Sequence, residues 1–214
     1  MMNGGADFSR KSAVITGLST AISRLAALNA LALLCFLPVV TAGASLSALH
    51  DCLIRMEKGK EFQTARAFFS AFKRNFKQAT LLWLPFMLIF LAAAADAFVL
   101  LAAPGLMPDW VMIPAFSAAI AAFLLFQFVL PFQAYFENGT LEILRCSAAL
   151  AITNLPRTVA MAAVWLIPWA LFHFVTLAWP LVLLFGIAGP GRFCAKLYVP
   201  VLEALHEDAA ERAQ

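Results

Sequence analysis

The sequence predicts an all-α protein: a polytopic helical membrane bundle with five or six transmembrane segments and an amphipathic helix on its cytoplasmic face. Three observations predict it. Of the 214 residues, 63% are hydrophobic and 13% are charged, where a soluble domain has roughly 45–50% and 25%. Mean hydropathy is +0.86. The apolar residues fall in long runs without formal charge, and no run alternates with period two. A soluble domain of this size has no interior large enough for that much apolar surface. The composition therefore excludes a soluble enzyme, a disordered linker, a secreted disulfide scaffold and a DNA-binding domain. A net charge of +3 implies no nucleic acid partner. The chain reads as one membrane domain, 1–214.

The elements follow in order. Residues 1–23 carry Arg10 and Lys11, but no apolar run begins before Leu25 and no cleavage site stands before a polar mature domain. They are not expected to be a signal peptide. A first helix is expected over about 12–38, ended by Pro38, which removes a donor and clashes with the preceding turn. Thr41 or Ser45 is placed to cap the next helix, over about 44–57. That segment is short. It either completes one crossing with the run 25–49 or returns through the membrane as a second one.

Residues 62–77 read as an interfacial amphipathic helix. The spans 79–103 and 111–136 follow, each near the roughly 20 residues that cross a hydrocarbon core. Thr158–Gly191 is 34 residues without a charge, too long for one ordinary span. Extended to Val199 it supplies two, at 158–178 and 180–199, with a hairpin turn at Trp179-Pro180. The segment 137–157 reads as an internal connection, and 200–214 as a cytoplasmic tail.

Orientation follows from lysine and arginine, which concentrate in cytoplasmic segments. Residues 50–78 hold seven: Arg55, Lys58, Lys60, Arg66, Lys73, Arg74 and Lys77. Residues 104–110 hold none. The C-terminus is expected in the cytoplasm of a bacterial cell whose plasma membrane the chain crosses. With six crossings the N-terminus lies there too, together with Arg10, Lys11 and Arg24. With five, those three lie outside.

Within 62–77, Phe62, Ala65, Phe69, Phe72 and Phe76 recur at spacings of three and four, and Arg66, Lys73 and Lys77 form a stripe beside them. An aromatic face flanked by cations fits a helix at the membrane surface. It reads either as an anchor packed under the bundle or as a docking surface for a partner. Polar residues inside spans are costly to place in lipid, which makes them the first candidates for function. Asp96 is the one carboxylate deep in a span and reads as an interfacial or structural group, or as a substrate or proton site. Asn29, Gln127, Gln133 and His173 read as interhelical hydrogen-bonding groups. His50-Asp51 reads as a surface pair. Cys35, Cys52, Cys146 and Cys194 form no CxxC pair and read as small hydrophobes. No catalytic residue, metal site or cofactor is expected. The sequence holds no Walker motif, HExxH or GxSxG.

Asn29, then Leu37-Pro38-Val39-Val40-Thr41-Ala42-Gly43, Ala48-Leu49 and finally Asn75-Phe76-Lys77-Gln78-Ala79-Thr80 resemble the bacterial YesL family of small polytopic membrane proteins, whose molecular function is unknown. The resemblance covers residues 25–84 and departs at His50, where the family has an aromatic residue, and at the turn Glu57-Lys58-Gly59-Lys60. It implies a non-enzymatic protein accessory to binding-protein-dependent carbohydrate transport or its regulation. The implied partners are membrane lipids and transporter subunits, or a second copy of the chain. It brings no catalytic residues with it. The alternatives from the residues themselves are a small oligomeric transporter or channel, which the recurring span prolines would fit, and a membrane enzyme on a lipid-linked substrate.

Overall fold

A computed structural model describes residues 4–102, 109–174 and 179–212 of the chain. Every regular element among them is helical: α1 (Gly4–Phe36), a 3-10 turn (Val39–Thr41), α2 (Ala42–Glu57), α3 (Thr64–Ala102), α4 (Asp109–Tyr135), α5 (Thr140–Thr153), α6 (Leu155–Phe174), α7 (Trp179–Phe185) and α8 (Ala188–Arg212). A bundle of apolar helices is thus the observed architecture. Helices are the form in which a chain satisfies its backbone groups inside lipid.

α1 and α2 make a hairpin around Pro38. The Thr41 hydroxyl donates to the carbonyls of Cys35 (2.6 Å) and Pro38 (2.8 Å). It therefore closes the end of α1 and does not cap α2, whose N-cap position it occupies without a side-chain bond. Ser45 does not cap either. Its hydroxyl donates across the hairpin to the Ala32 carbonyl (2.9 Å). The Thr41 bond to Cys35 satisfies one of the carbonyls left unpaired at the end of α1, and the Ser45 bond ties α2 to the last turns of α1. Further down, Arg24 of α1 pairs with Glu61, just past α2. Arg24 and the end of α2 therefore lie at the same end of the bundle. A single crossing over 25–49 would separate them.

α2 ends in a Schellman motif. Gly59 has φ +64°, the Lys60 N–H donates to the Arg55 carbonyl (3.0 Å) and the Gly59 N–H to that of Met56 (3.2 Å). Glycine takes that left-handed conformation without steric cost. The helix is 16 residues long, about 24 Å, and most of its residues are buried. It is the hub of the bundle, packed against α1, α3, α4 and α8.

The expected interfacial helix 62–77 and the span 79–103 are one helix. α3 runs 39 residues without a break, about 58 Å, while a hydrocarbon core is about 30 Å thick. Roughly half of it must therefore stand outside the apolar layer. One seam explains the continuity. Phe68, Ala71, Asn75, Ala79, Leu82, Phe86 and Ala93 are all buried, at spacings of three, four and seven. The seam crosses the boundary between charged and apolar sequence without changing register. The expected stripe is misplaced by about one residue. Ala65 and Phe69 are exposed, and Phe62, Phe72 and Phe76 are half-buried, while Phe68 is fully buried. Arg66, Lys73 and Lys77 are exposed, as the spacing requires.

The rest of the chain departs from expectation in four places. The connection 137–157 contains α5, which meets α6 at 96°; Ile143, Ser147 and Ala151 give it a buried face. The expected span 180–199 is broken into α7 and α8, bent by 48°. The expected tail beyond 199 continues α8 to Arg212. Trp179-Pro180, read as a turn, opens α7, and residues 175–178 lie outside the described residues.

By length and composition, three described helices can cross a membrane: Ile15–Phe36, α3, and Met112–Tyr135. The number is five if each bent pair is one span. α2, the candidate sixth crossing, does not qualify.

Candidate functional site

Gly43, Asn75 and Ala79 meet in the packing of α2 against α3. Gly43 sits against α3 so closely that a Cβ would lie 2.4 Å from Trp83 Cβ and 2.6 Å from the Ala79 carbonyl oxygen. One turn on, the Asn75 amide donates to the Ser47 hydroxyl (3.1 Å) in the buried seam. A further turn brings Asp51 to Arg74 (3.0 Å) and to Arg55 on its own helix (2.7 Å). Gly43, Ser47 and Asp51 are spaced by four, so they form one face of α2. Trp83 secures the top of this seam by donating its indole N–H to the Val39 carbonyl (3.1 Å). The small residue sets the distance, the amide the register, and the carboxylate the charged end.

Below that seam lies a belt of ion pairs. Glu57 pairs with Arg192, and Arg24 with Glu61. Lys58 reaches Glu203 (3.3 Å), donates to the Tyr135 hydroxyl (2.8 Å), and lies over its ring at 4.3 Å. Burial works against the Lys58 charge, but its hydrogen bonds to Tyr135 and Glu203 outweigh that cost and hold its pKa above the usual lysine value. Gln78 donates to the Asn138 carbonyl (2.7 Å). These contacts join α1, α2, α3, α4 and α8 at one end of the bundle.

The sequence-derived polar residues fall in different places. Asn29 is fully buried and holds the α7–α8 break. Its Nδ2 donates to the Leu183 carbonyl (2.7 Å), and its Oδ1 accepts from the N–H groups of Ile187 and Ala188 (2.9 Å each). An asparagine from another helix thus acts as the N-cap of α8. Gln127 accepts from the Trp165 indole N–H (3.2 Å). Gln133 is buried, and its amide is 3.5 Å from that of Gln78. Asp96 is half-buried on α3, and no described residue bonds to it. His173 is exposed on α6 beside Phe174. Asp96 and His173 are not brought together.

His50-Asp51 is not a surface pair. Asp51 is buried under its two arginines. His50 faces the opposite way, with Nδ1 3.0 Å from the Tyr198 hydroxyl and the rings edge to face. Cys52 and Cys194 are buried, Cys35 and Cys146 half-buried, and all four are free thiols. Among the described residues, no group of three His, Cys, Asp or Glu side chains is placed to hold a metal ion. The arrangement can organise a charged face and a hydrogen-bonded interior.

Residues 25–97, about a third of the chain, match the family described as protein of unknown function, DUF624. The matched stretch covers about the last third of α1, all of α2 and nearly all of α3. Those are the elements that carry the Gly43–Trp83 and Asn75–Ser47 contacts. No curated protein and no solved structure matches the chain.

Proposed function

We propose that this chain is a YesL-like, non-catalytic protein of a bacterial plasma membrane, accessory to a binding-protein-dependent carbohydrate transporter. In this reading the belt of ion pairs faces the cytoplasm and the projecting half of α3 docks the transporter. One observation supports the docking face above others. Arg24, Arg55, Lys58, Arg74 and Arg192 each hold an acidic partner within the fold. Arg66, Lys73 and Lys77 pair with no described residue, and Phe69 stands among them 40% exposed. Among the described residues no acidic group pairs with that stripe, so its charge remains available to an acidic segment of another chain. Phenylalanine and arginine, as at Phe69 and Arg66, are enriched at interface centres, and the two lysines suit a polar rim.

The variant Arg66→Gln/Lys73→Gln/Lys77→Gln tests this reading. Exposed, unpaired cations contribute little to stability, so the variant should elute as a monodisperse species and melt within about 1 kcal/mol of the parent. After gentle detergent extraction the parent should co-purify with transporter membrane subunits, and the variant should not. Equal recovery by both would remove the stripe from the interface. Solute flux through liposomes holding this protein alone would instead favour an oligomeric transporter or channel.

A further inference from the structure

Between α2, α3, α4 and α6 lies a cavity of about 300 Å³. Its walls are apolar and largely aromatic, with Leu46, Trp83, Phe126 and Trp165 in them, and two polar side chains, His50 and Gln127, take part in the lining. Both carry a nitrogen that the fold leaves unused. Gln127 Oε1 faces the Trp165 indole N–H (3.2 Å). An indole nitrogen only donates, which fixes the amide orientation and turns Nε2 away. That Nε2 is buried with no partner among the described residues. The Tyr198 hydroxyl finds its one described partner in His50 Nδ1 (3.0 Å). In the tautomer that lets the tyrosine donate this bond, Nε2 carries the ring's proton. The cavity therefore combines hydrocarbon walls with N–H donors and asks for an acceptor.

Its depth narrows the chemistry. The cations of α3 end at Lys77, and the next charge is Asp96. Trp83 lies six residues beyond Lys77, about 9 Å along the helix, where the polar half of α3 gives way to the apolar half. Two tryptophans in the wall agree with that interfacial level. Ester carbonyls of membrane lipids lie at this boundary, with their chains pointing into hydrocarbon. A sugar does not fit these walls, since two polar side chains would leave most of its hydroxyls without partners.

We propose that the cavity holds one acyl chain of a membrane glycerolipid, with the ester carbonyl oxygen accepting a hydrogen bond from His50 or Gln127. A free fatty-acyl ester shares that chemistry, and the test separates the two sources.

The full chain, with Trp110→Phe, Trp169→Phe and Trp179→Phe, keeps Trp83 and Trp165 as its only indoles. Purified in detergent, it is titrated with acyl-brominated phosphatidylcholine, with brominated methyl stearate and with a brominated alkane of equal length. Bromine quenches indole fluorescence only at short range. Saturable quenching is expected from both esters, with the alkane about tenfold weaker for want of the hydrogen bond. Gln127→Leu should weaken the esters severalfold and leave the alkane unchanged. Leu46→Phe, which fills part of the cavity and adds no indole, should weaken all three. Quenching that rises linearly without saturation, or equal affinity for esters and alkane, overturns the proposal. Saturation by methyl stearate but not by phosphatidylcholine overturns the bilayer lipid as the occupant. Displacement of the quencher by glucose overturns the lipid altogether.

Discussion

Gly43→Ala is expected to cost about 3 kcal/mol of stability, the upper part of the range for overpacking, although it adds a single methyl group. The added Cβ would stand 2.4 Å from Trp83 Cβ and 2.6 Å from the Ala79 carbonyl oxygen. Neither obstacle is the free end of a side chain. One is fixed to the α3 backbone and the other belongs to it, so no rotamer change relieves the contact. α2 and α3 must move apart, and that movement stretches the Asn75–Ser47 hydrogen bond and the Arg74–Asp51 ion pair below. For the same reason Trp83→Leu should not rescue Gly43→Ala, because leucine keeps the Cβ. Close helix approach through a small residue is a general device of membrane bundles. The thermal midpoint in detergent should fall by roughly 10 °C, at the 2–4 °C per kcal/mol typical of chains this long. An unchanged midpoint would show that the helices are not held at this distance.

Asn29→Leu should be comparably damaging, by about 3–5 kcal/mol. The side chain is fully buried and makes three hydrogen bonds to backbone groups at the α7–α8 break. Those groups have no helical partner to fall back on, and a buried, unsatisfied backbone group costs about 1–3 kcal/mol. Ordinary interhelical bonds in membranes average only about 0.6 kcal/mol. The larger figure is expected here because three groups are orphaned at once and none is a side chain able to turn elsewhere. Asn29→Asp separates the components. It keeps the Oδ1 that accepts from both Ile187 and Ala188 but loses the amide donor to Leu183, so its loss in melting temperature should be smaller than that of leucine. Equal losses would mean that volume, not hydrogen bonding, is what the site requires.

The sequence disclosed some of this and concealed the rest for identifiable reasons. Long uncharged runs made the helical membrane class plain, since few soluble chains can hide such surface. Pro38 and Gly43 marked the hairpin, because each restricts what the backbone can do. The length of α3 stayed hidden because charge ends at Lys77 and invited a boundary there, whereas the buried seam from Phe68 to Ala93 runs straight through. The phase of the Phe-rich stretch was misread because phenylalanine occurs on two faces, at Phe68 and at Phe69. Burial in the seam of α3 selects Phe68.

Asp51 looked exposed because its partner Arg74 is 23 residues away in sequence, and the His50–Tyr198 contact spans 148. No local pattern announces pairs so distant. Asn29 was visible as a polar residue in a span, but its role depends on a helix break that hydropathy does not record. α5 is legible in Ile143, Ser147 and Ala151, a repeat of four, but it is too short and too polar to stand out as a long apolar run.

The central structural claim is that α1 and α2 form a hairpin returning Arg24 and Glu61 to one face, with the projecting half of α3. Accessibility of single cysteines to a membrane-impermeant maleimide tests it most directly. The four native cysteines are first changed to alanine. Gly17→Cys is a benign position, since a Cβ there meets nothing within 4 Å. The account predicts that Gly17→Cys and Lys60→Cys react in inverted vesicles and are protected in intact cells, while Trp110→Cys does the reverse. Labelling of Gly17→Cys from outside intact cells, with Lys60→Cys still protected, would place a full crossing between them and contradict the hairpin.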